Sequence, residues 1–327
     1  MSFDRVAYTS CGYHCHRRCI TKVLIRDDRI VACEPDDTIH AGIAREDGRV
    51  AEAFLDQGMV QTRPCVKGYV QPQMIYDSRR VVYPMKRIGA RGEGKFTRIS
   101  WTEAIDTIAE RLVEVKDKYG PYSILHHPYS TFGRCSFPLA PWIGAGVAGW
   151  NGHSSNGWFE PEYWVLGKDM GLGALVQDEA NVFDAKLIVL WGFNPLTTLN
   201  GGWAHNLFRA KERGIPIVCI EPRYSPSVEV LADQWIPIRP TTDVAMMLAV
   251  ANVWFKEDLC DKPFLERWVE PEGLHRWKAY VLGDSDGVDK DPRWAETICG
   301  VPAETIEAFA RLYARSKPVN LNVSLGM

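Results

Sequence analysis

Three thiols stand at intervals of four near the start of the chain, Cys11, Cys15 and Cys19 in CGYHCHRRC, and a fourth, Cys65, follows in RPCVKGY. An iron–sulfur cube needs four thiolates, three of which one loop can wrap around a face while the fourth closes from elsewhere. Zinc also takes four cysteines, but structural zinc sites more often use paired C-x2-C knuckles, which this pattern lacks. A helix packing the thiols as small apolar side chains is the third reading, although Gly12, His14, His16, Arg17 and Arg18 leave it no continuous apolar face. Arg17, Arg18, Arg63 and Lys67 lie close in sequence to the thiols and suit a net negative cluster; each is equally at home as a solvated charge. Cys33, Cys135, Cys219, Cys260 and Cys299 have no ligand spacing and read as buried thiols.

A second constellation lies at strand ends. Trp191-Gly192-Phe193-Asn194-Pro195 follows one apolar run; Gly192 admits close backbone approach and Asn194 offers donor and acceptor. Glu221, with Arg223 and Tyr224, ends a second run, where a carboxylate can accept bonds from ribose hydroxyls. Thr241-Thr242-Asp243 follows a third. Asp243 can face the N1–H and N2–H2 donors of guanine, or can simply cap a helix. No G-x-G-x-x-G follows any of these runs, which argues against an ordinary nicotinamide or flavin dinucleotide site.

The elements that must position these groups are legible in outline. Residues 20–33 alternate around Asp27-Asp28 and predict a hairpin. Residues 35–62 read as a long surface excursion. Ser100 precedes Glu103 by three residues, a capping box opening a helix that runs to Gly120. Strands at 186–192, 215–223 and 234–240 alternate with helices near 202–213, 225–232 and 243–256, the pattern of a parallel α/β sheet. Residues 132–173 are rich in Gly, Pro and aromatics and read as functional loops. The chain closes on VNLNVSLGM, a core-strand pattern, so a continuation beyond it is expected.

With 327 residues and 46% hydrophobic content the chain has room for two or three domains. The net charge of −3 gives no reason to expect a nucleic-acid partner. No apolar run reaches the length of a membrane span, and no export signal is recognisable, so a cytoplasmic location and a mature periplasmic or cell-surface form both stay open.

Together CGYHCHRRC with CVKG, VVYPMKRIGARGEGKFTRISWTEAID, LIVLWGFNP and IEPRYSPSVEVLADQWIPIRPTTDVAMMLA resemble the catalytic subunits of the dimethyl sulfoxide reductase family of molybdopterin oxidoreductases. That resemblance covers nearly the whole chain and implies a small β-rich iron–sulfur domain at 1–82, the first part of a middle α/β domain at 83–150, an inserted α/β domain at 151–315 and a return strand at 316–327. It implies a [4Fe-4S] cluster on Cys11, Cys15, Cys19 and Cys65, in the spacing of the respiratory branch. Lys67 would lie between cluster and pterin. Trp191, Gly192, Asn194, Glu221, Arg223 and Asp243 would hold the guanosine end of one molybdopterin guanine dinucleotide of a bis-dinucleotide molybdenum cofactor, tungsten being the alternative metal. The loop WNGHSSNGW offers Ser155, and next Ser154, as metal ligand, with His153 as proton donor; Tyr129 and Trp142 would line the funnel.

The implied activity is a terminal reductase transferring an oxygen atom from a small S-oxide or N-oxide. Electrons would come from an iron–sulfur subunit held by a membrane anchor. Family members are more than twice as long, so this chain alone is not expected to be active. Catechol dehydroxylation and non-redox hydration or transhydroxylation are the alternatives within the family. A non-catalytic iron–sulfur electron-transfer subunit, of the kind found in respiratory NADH dehydrogenases, is the alternative of another class.

Overall fold

The computed structural model describes residues 2–11, 19–36, 54, 56, 63–124, 179–198 and 202–323. Contacts divide the chain into two units, Met1–Glu34 with Val66–Met170, and Pro35–Cys65 with Gly171–Met327.

The first unit opens with a three-stranded sheet in the order β1 (Arg5–Ser10), β2 (Ile20–Arg26), β3 (Arg29–Pro35). Asp27 and Asp28 both take left-handed φ, 50° and 55°. That is the conformation a two-residue hairpin turn demands and short acidic side chains tolerate. β1 and β2 run antiparallel with Ser10 opposite Ile20, so their ladder closes where the cysteine loop begins and ends. After Cys65 come the short helices α1 (Val66–Tyr69) and α2 (Gln71–Ile75). Tyr76 ties that segment to the sheet: its hydroxyl accepts from the Ile30 N–H at 3.0 Å, and the Arg29 guanidinium lies 4.2 Å over its ring.

A two-stranded ribbon follows, β4 (Met85–Arg87) against β5 (Phe96–Arg98). It leads into α3 (Trp101–Tyr119), where the Ser100 side chain accepts from the Glu103 N–H as the capping box predicts.

The second unit is built on four parallel strands: β6 (Leu187–Trp191), β7 (Ile217–Ile220), β8 (Gln234–Ile236) and β9 (Val319–Val323), in the order β8-β7-β6-β9. Every residue of β6 and β7 is buried, which explains why both read as unbroken apolar runs rather than alternating ones.

Alternate side chains serve two helical layers. Ile188, Leu190, Ile217 and Cys219 face α5 (Gly202–Glu212) and α6 (Pro226–Leu231) through Leu207, Ala210, Val228 and Leu231. Leu187, Val189, Trp191, Val218 and Ile220 face α7 (Asp243–Lys256), α10 (Pro292–Cys299) and α11 (Ala303–Arg315). Each fully buried aliphatic side chain here contributes about 1.5–3 kcal/mol.

Between β6 and α5 lies the one-turn helix α4 (Pro195–Thr198). Between α7 and α10 lie α8 (Lys262–Trp268) and α9 (Pro271–Leu282). Two described residues of the expected surface excursion are anchored on this unit: Phe54 packs against the α5–α6 layer, and Asp56 pairs with Arg213 at 2.9 Å.

The topology fixes where a ligand belongs. From β6 the chain passes to β7 on one side, and it returns at the end to β9 on the other, so the sheet switches direction at β6. Open α/β sheets bind ligands outside the carboxyl ends of the strands beside such a switch.

Candidate functional site

The carboxyl ends of β6, β7 and β8 carry the polar residues singled out from the sequence. Trp191 is the last residue of β6. Strand alternation turns it toward the α7 layer, where it is 4% exposed and meets Phe309 edge-on at 6.0 Å. Its indole Nε1–H donates to Asp243 Oδ1 at 2.8 Å in a buried bond. Gly192 takes φ 58°, a left-handed conformation that suits glycine, and its N–H donates to the Ile220 carbonyl at 2.9 Å. The β6–β7 ladder therefore continues one residue past the strand before the chain turns away.

Asn194 is buried, and its Oδ1 accepts from Ser227 Oγ at 2.6 Å, while that serine oxygen also accepts from the Leu196 N–H at 3.0 Å. The asparagine carbonyl oxygen thus ties the turn after β6 to α6. This is a tether the sequence did not announce, and Ser227 is the residue that sequence reasoning missed.

Asp243 is the first residue of α7, and the capping position falls to Thr242. Asp243 is therefore no N-cap, which removes the simplest structural explanation for it. The Thr242 hydroxyl instead donates to the Arg239 carbonyl at 2.7 Å. The preceding Thr241 holds φ 66°, a strained conformation for a β-branched residue, costing about 1–3 kcal/mol. Arg239 is pinned in turn, its guanidinium donating to the Thr297 and Ile298 carbonyls at the end of α10, both at 3.2 Å.

Glu221 lies just past β7, with its N–H donating to the Ile236 carbonyl at 3.2 Å and its carbonyl accepting from Trp235 Nε1 at 2.8 Å. Trp235 also meets Tyr224 edge-on at 5.2 Å. This aromatic pair beside Glu221 was visible as residue types only; its juxtaposition needed the β7–β8 register.

Burial pushes the Glu221 carboxyl above its ordinary range; the exposed Arg223 draws it back down, and the neighbouring Asp243 charge adds to the rise. A carboxyl raised in the fold holds its proton to higher pH than it does in the unfolded chain, so its ionisation lowers stability as pH rises. Glu221→Gln is accordingly expected to leave the melting temperature unchanged below the ordinary carboxylate range, about pH 4. The variant should become progressively more stable than the parent as pH climbs through the raised value. Paired thermal melts in acidic and mildly alkaline buffer check this. A variant less stable at both ends contradicts it.

The sheet thus brings Trp191, Gly192, Asn194, Glu221, Arg223 and Asp243 to one end of one unit. In that same unit Cys219 is inert: burial first, then Glu221, pushes its thiol up to about 12.

In the first unit, Cys11 and Cys19 stand at the neck of the cysteine loop, joined by a 2.8 Å bond from the Cys11 N–H to the Cys19 carbonyl. Cys11, Cys19 and Cys65 all carry thiols rather than disulfides. Burial, and then Cys11, push up the thiol of Cys33 on β3. Lys67 lies on α1, two residues after Cys65. Among the described residues no group of three or more His, Cys, Asp or Glu side chains is arranged to hold a metal. Cys15, His14 and His16 lie outside those residues, as do Arg17, Arg18, Tyr129, Trp142, His153, Ser154 and Ser155. Cys11, Cys19 and Cys65 offer soft sulfur donors, the ligand type that iron–sulfur and zinc sites both take.

Comparison with known proteins agrees with the sheet geometry. The profile of the molybdopterin oxidoreductase family matches residues 80–308. A dimethyl sulfoxide reductase of Haemophilus influenzae is 35% identical, over 99% of this chain and 41% of that one. A pyrogallol hydroxytransferase large subunit of Pelobacter acidigallici is 30% identical, over 90% of this chain and 37% of that one. Among solved structures, an acetylene hydratase from Pelobacter acetylenicus shares the fold with a TM-score of 0.56 at 23% identity, covering 98% of this chain and 40% of that chain. The chain thus spans about two fifths of the length of these relatives.

Proposed function

Because this chain belongs to the molybdopterin oxidoreductase family, we propose that it is the cofactor-binding part of a molybdenum-dependent terminal reductase acting on a small S-oxide or N-oxide. The observation that carries the assignment is the set of polar groups gathered at the strand ends. Glu221 offers a carboxylate to ribose hydroxyls, Asp243 offers one to the two donors of a guanine edge, and Gly192 lets the backbone come close. These fit the guanosine end of a molybdopterin guanine dinucleotide. When bound, the molybdenum–pterin group supplies two-electron redox chemistry, with tungsten as the alternative metal.

Cys11, Cys15, Cys19 and Cys65 would hold a [4Fe-4S] cluster that passes electrons singly, with Lys67 between it and the pterin. Ser155, and next Ser154, would reach the metal, and His153 would give a proton to the departing oxygen, a task for which an imidazole is suited near neutral pH. The similarity to dimethyl sulfoxide reductases supports a separate iron–sulfur subunit and a membrane anchor as partners. Among the described residues no helix is long and apolar enough to cross a membrane.

A second reading, a transhydroxylase without net redox change, is supported by the similarity to the pyrogallol hydroxytransferase. The native protein, prepared anaerobically, is expected to oxidise a reduced viologen dye only when an S-oxide or N-oxide is supplied. Turnover of a hydroxylated aromatic without dye oxidation would replace the reductase reading by the second one.

A further inference from the structure

We infer that Trp191 is a positioning residue for base recognition: its indole N–H fixes the plane of the Asp243 carboxylate so that both oxygens face a guanine edge. The inference rests on the proposed nucleotide site and assigns within it a task that the strand-end residue types do not reveal. Trp191 is buried and packs edge-on against Phe309 at 6.0 Å, so its ring cannot swing. Its Nε1–H reaches Asp243 Oδ1 at 2.8 Å across a span of 52 residues. A carboxylate oxygen accepts more than one hydrogen bond, so Oδ1 can hold the indole and still accept from one guanine donor while Oδ2 accepts from the other.

An unfixed carboxylate on a one-carbon stem would rotate about its last torsion, which is broad and roughly two-fold in Asp. Here three features remove that freedom. The indole holds one oxygen, the first turn of α7 holds the backbone, and Thr241 at φ 66° with the Thr242–Arg239 bond holds the turn leading into it. Specificity for guanine over a base lacking the exocyclic amine then depends on an indole proton that touches no ligand.

The test is binding of guanosine, inosine and adenosine diphosphates to this chain by calorimetry, comparing the parent with Trp191→Phe, which keeps an aromatic ring but removes the N–H. Inosine differs from guanosine only by the missing amine. The parent is expected to prefer guanosine over inosine diphosphate by about tenfold or more, the size of a good bidentate base contact. In Trp191→Phe that preference should fall below about threefold with inosine diphosphate affinity retained, because one bond to the amine loses its alignment.

An unchanged guanosine-to-inosine ratio in the variant would overturn the positioning role, since a merely structural defect lowers both affinities together. A parent that binds adenosine and guanosine diphosphates equally would overturn the nucleotide site itself. Should the variant not fold, the indole 15N–H signal of Trp191 in the parent decides. It is expected to be protected from exchange and to shift with guanosine but not adenosine diphosphate, and a rapidly exchanging, unresponsive signal contradicts the inference.

Discussion

Replacing Cys65 by serine is expected to lower the iron of the anaerobically prepared native protein from about four atoms per chain to a small fraction of that. Four thiolates hold the proposed cluster, and Cys65 is the one supplied from outside the N-terminal loop. A cysteine thiol ionises near neutral pH once a metal is near it and gives a soft thiolate; a serine oxygen is hard and a poor match for cluster iron. Three thiolates from one loop leave an iron corner open to solvent, and such a cluster is lost or degrades.

The same substitution tests the zinc reading, because a four-cysteine zinc site would lose one zinc and never contain inorganic sulfide. Iron and acid-labile sulfide assays on parent and variant, with low-temperature spin resonance of the reduced samples, give the result directly. Full iron and sulfide in the variant would show that Cys65 is no ligand.

The second large effect is expected at Asp243. Asp243→Asn should weaken guanosine diphosphate binding by roughly 10- to 100-fold, the loss of a hydrogen bond to a charged group. The side chains are nearly the same size, so packing at the start of α7 is preserved, but one acceptor oxygen becomes an amino group that donates. Guanine N1–H and N2–H2 and the Trp191 indole all donate. An amide can turn its single oxygen to only one side, so either the base or the indole faces another donor. Calorimetric titration checks this, with melting temperature as the control for folding. Guanosine diphosphate binding equal to the parent's would mean that Asp243 is an ordinary first-turn helix acid.

These two sites differ in how far the sequence discloses them. The strands β6 and β7 were legible because strands buried on both faces of a parallel sheet are unbroken apolar runs, as KLIVLWG and IPIVCI are. The hairpin at Asp27-Asp28 and the cap at Ser100 were legible because turn and cap chemistry is local. The helices α8 to α11 were not identified, although each start was signalled: Asp261, Glu270 and Asp291 cap with a proline in the first turn, and Pro302 precedes α11. The apolar faces of α10 and α11 fit a sheet whose strands β6 to β8 lie far back along the chain, and α8 and α9 bury almost nothing, so periodicity alone did not order them.

The site was legible as residue types at strand ends and opaque as geometry. Nothing local in the sequence says that Trp191 serves Asp243 rather than a ligand, because the bond crosses 52 residues. Nothing local says that Asn194 spends its carbonyl oxygen on Ser227. Buried Asn320 and Asn322 on β9, bonded to each other at 2.6 Å, were equally hidden inside a run that reads as apolar strand. The serine candidates Ser154 and Ser155 lie outside the described residues and rest on the resemblance of their loop.

The most direct measurement is a count of iron, acid-labile sulfide, molybdenum, tungsten, zinc and released guanine nucleotide in the native protein purified without oxygen. About four irons and two guanine nucleotides for each molybdenum or tungsten is the predicted result. Iron and sulfide with neither metal nor guanine nucleotide would contradict the enzyme and leave an electron-transfer subunit in its place.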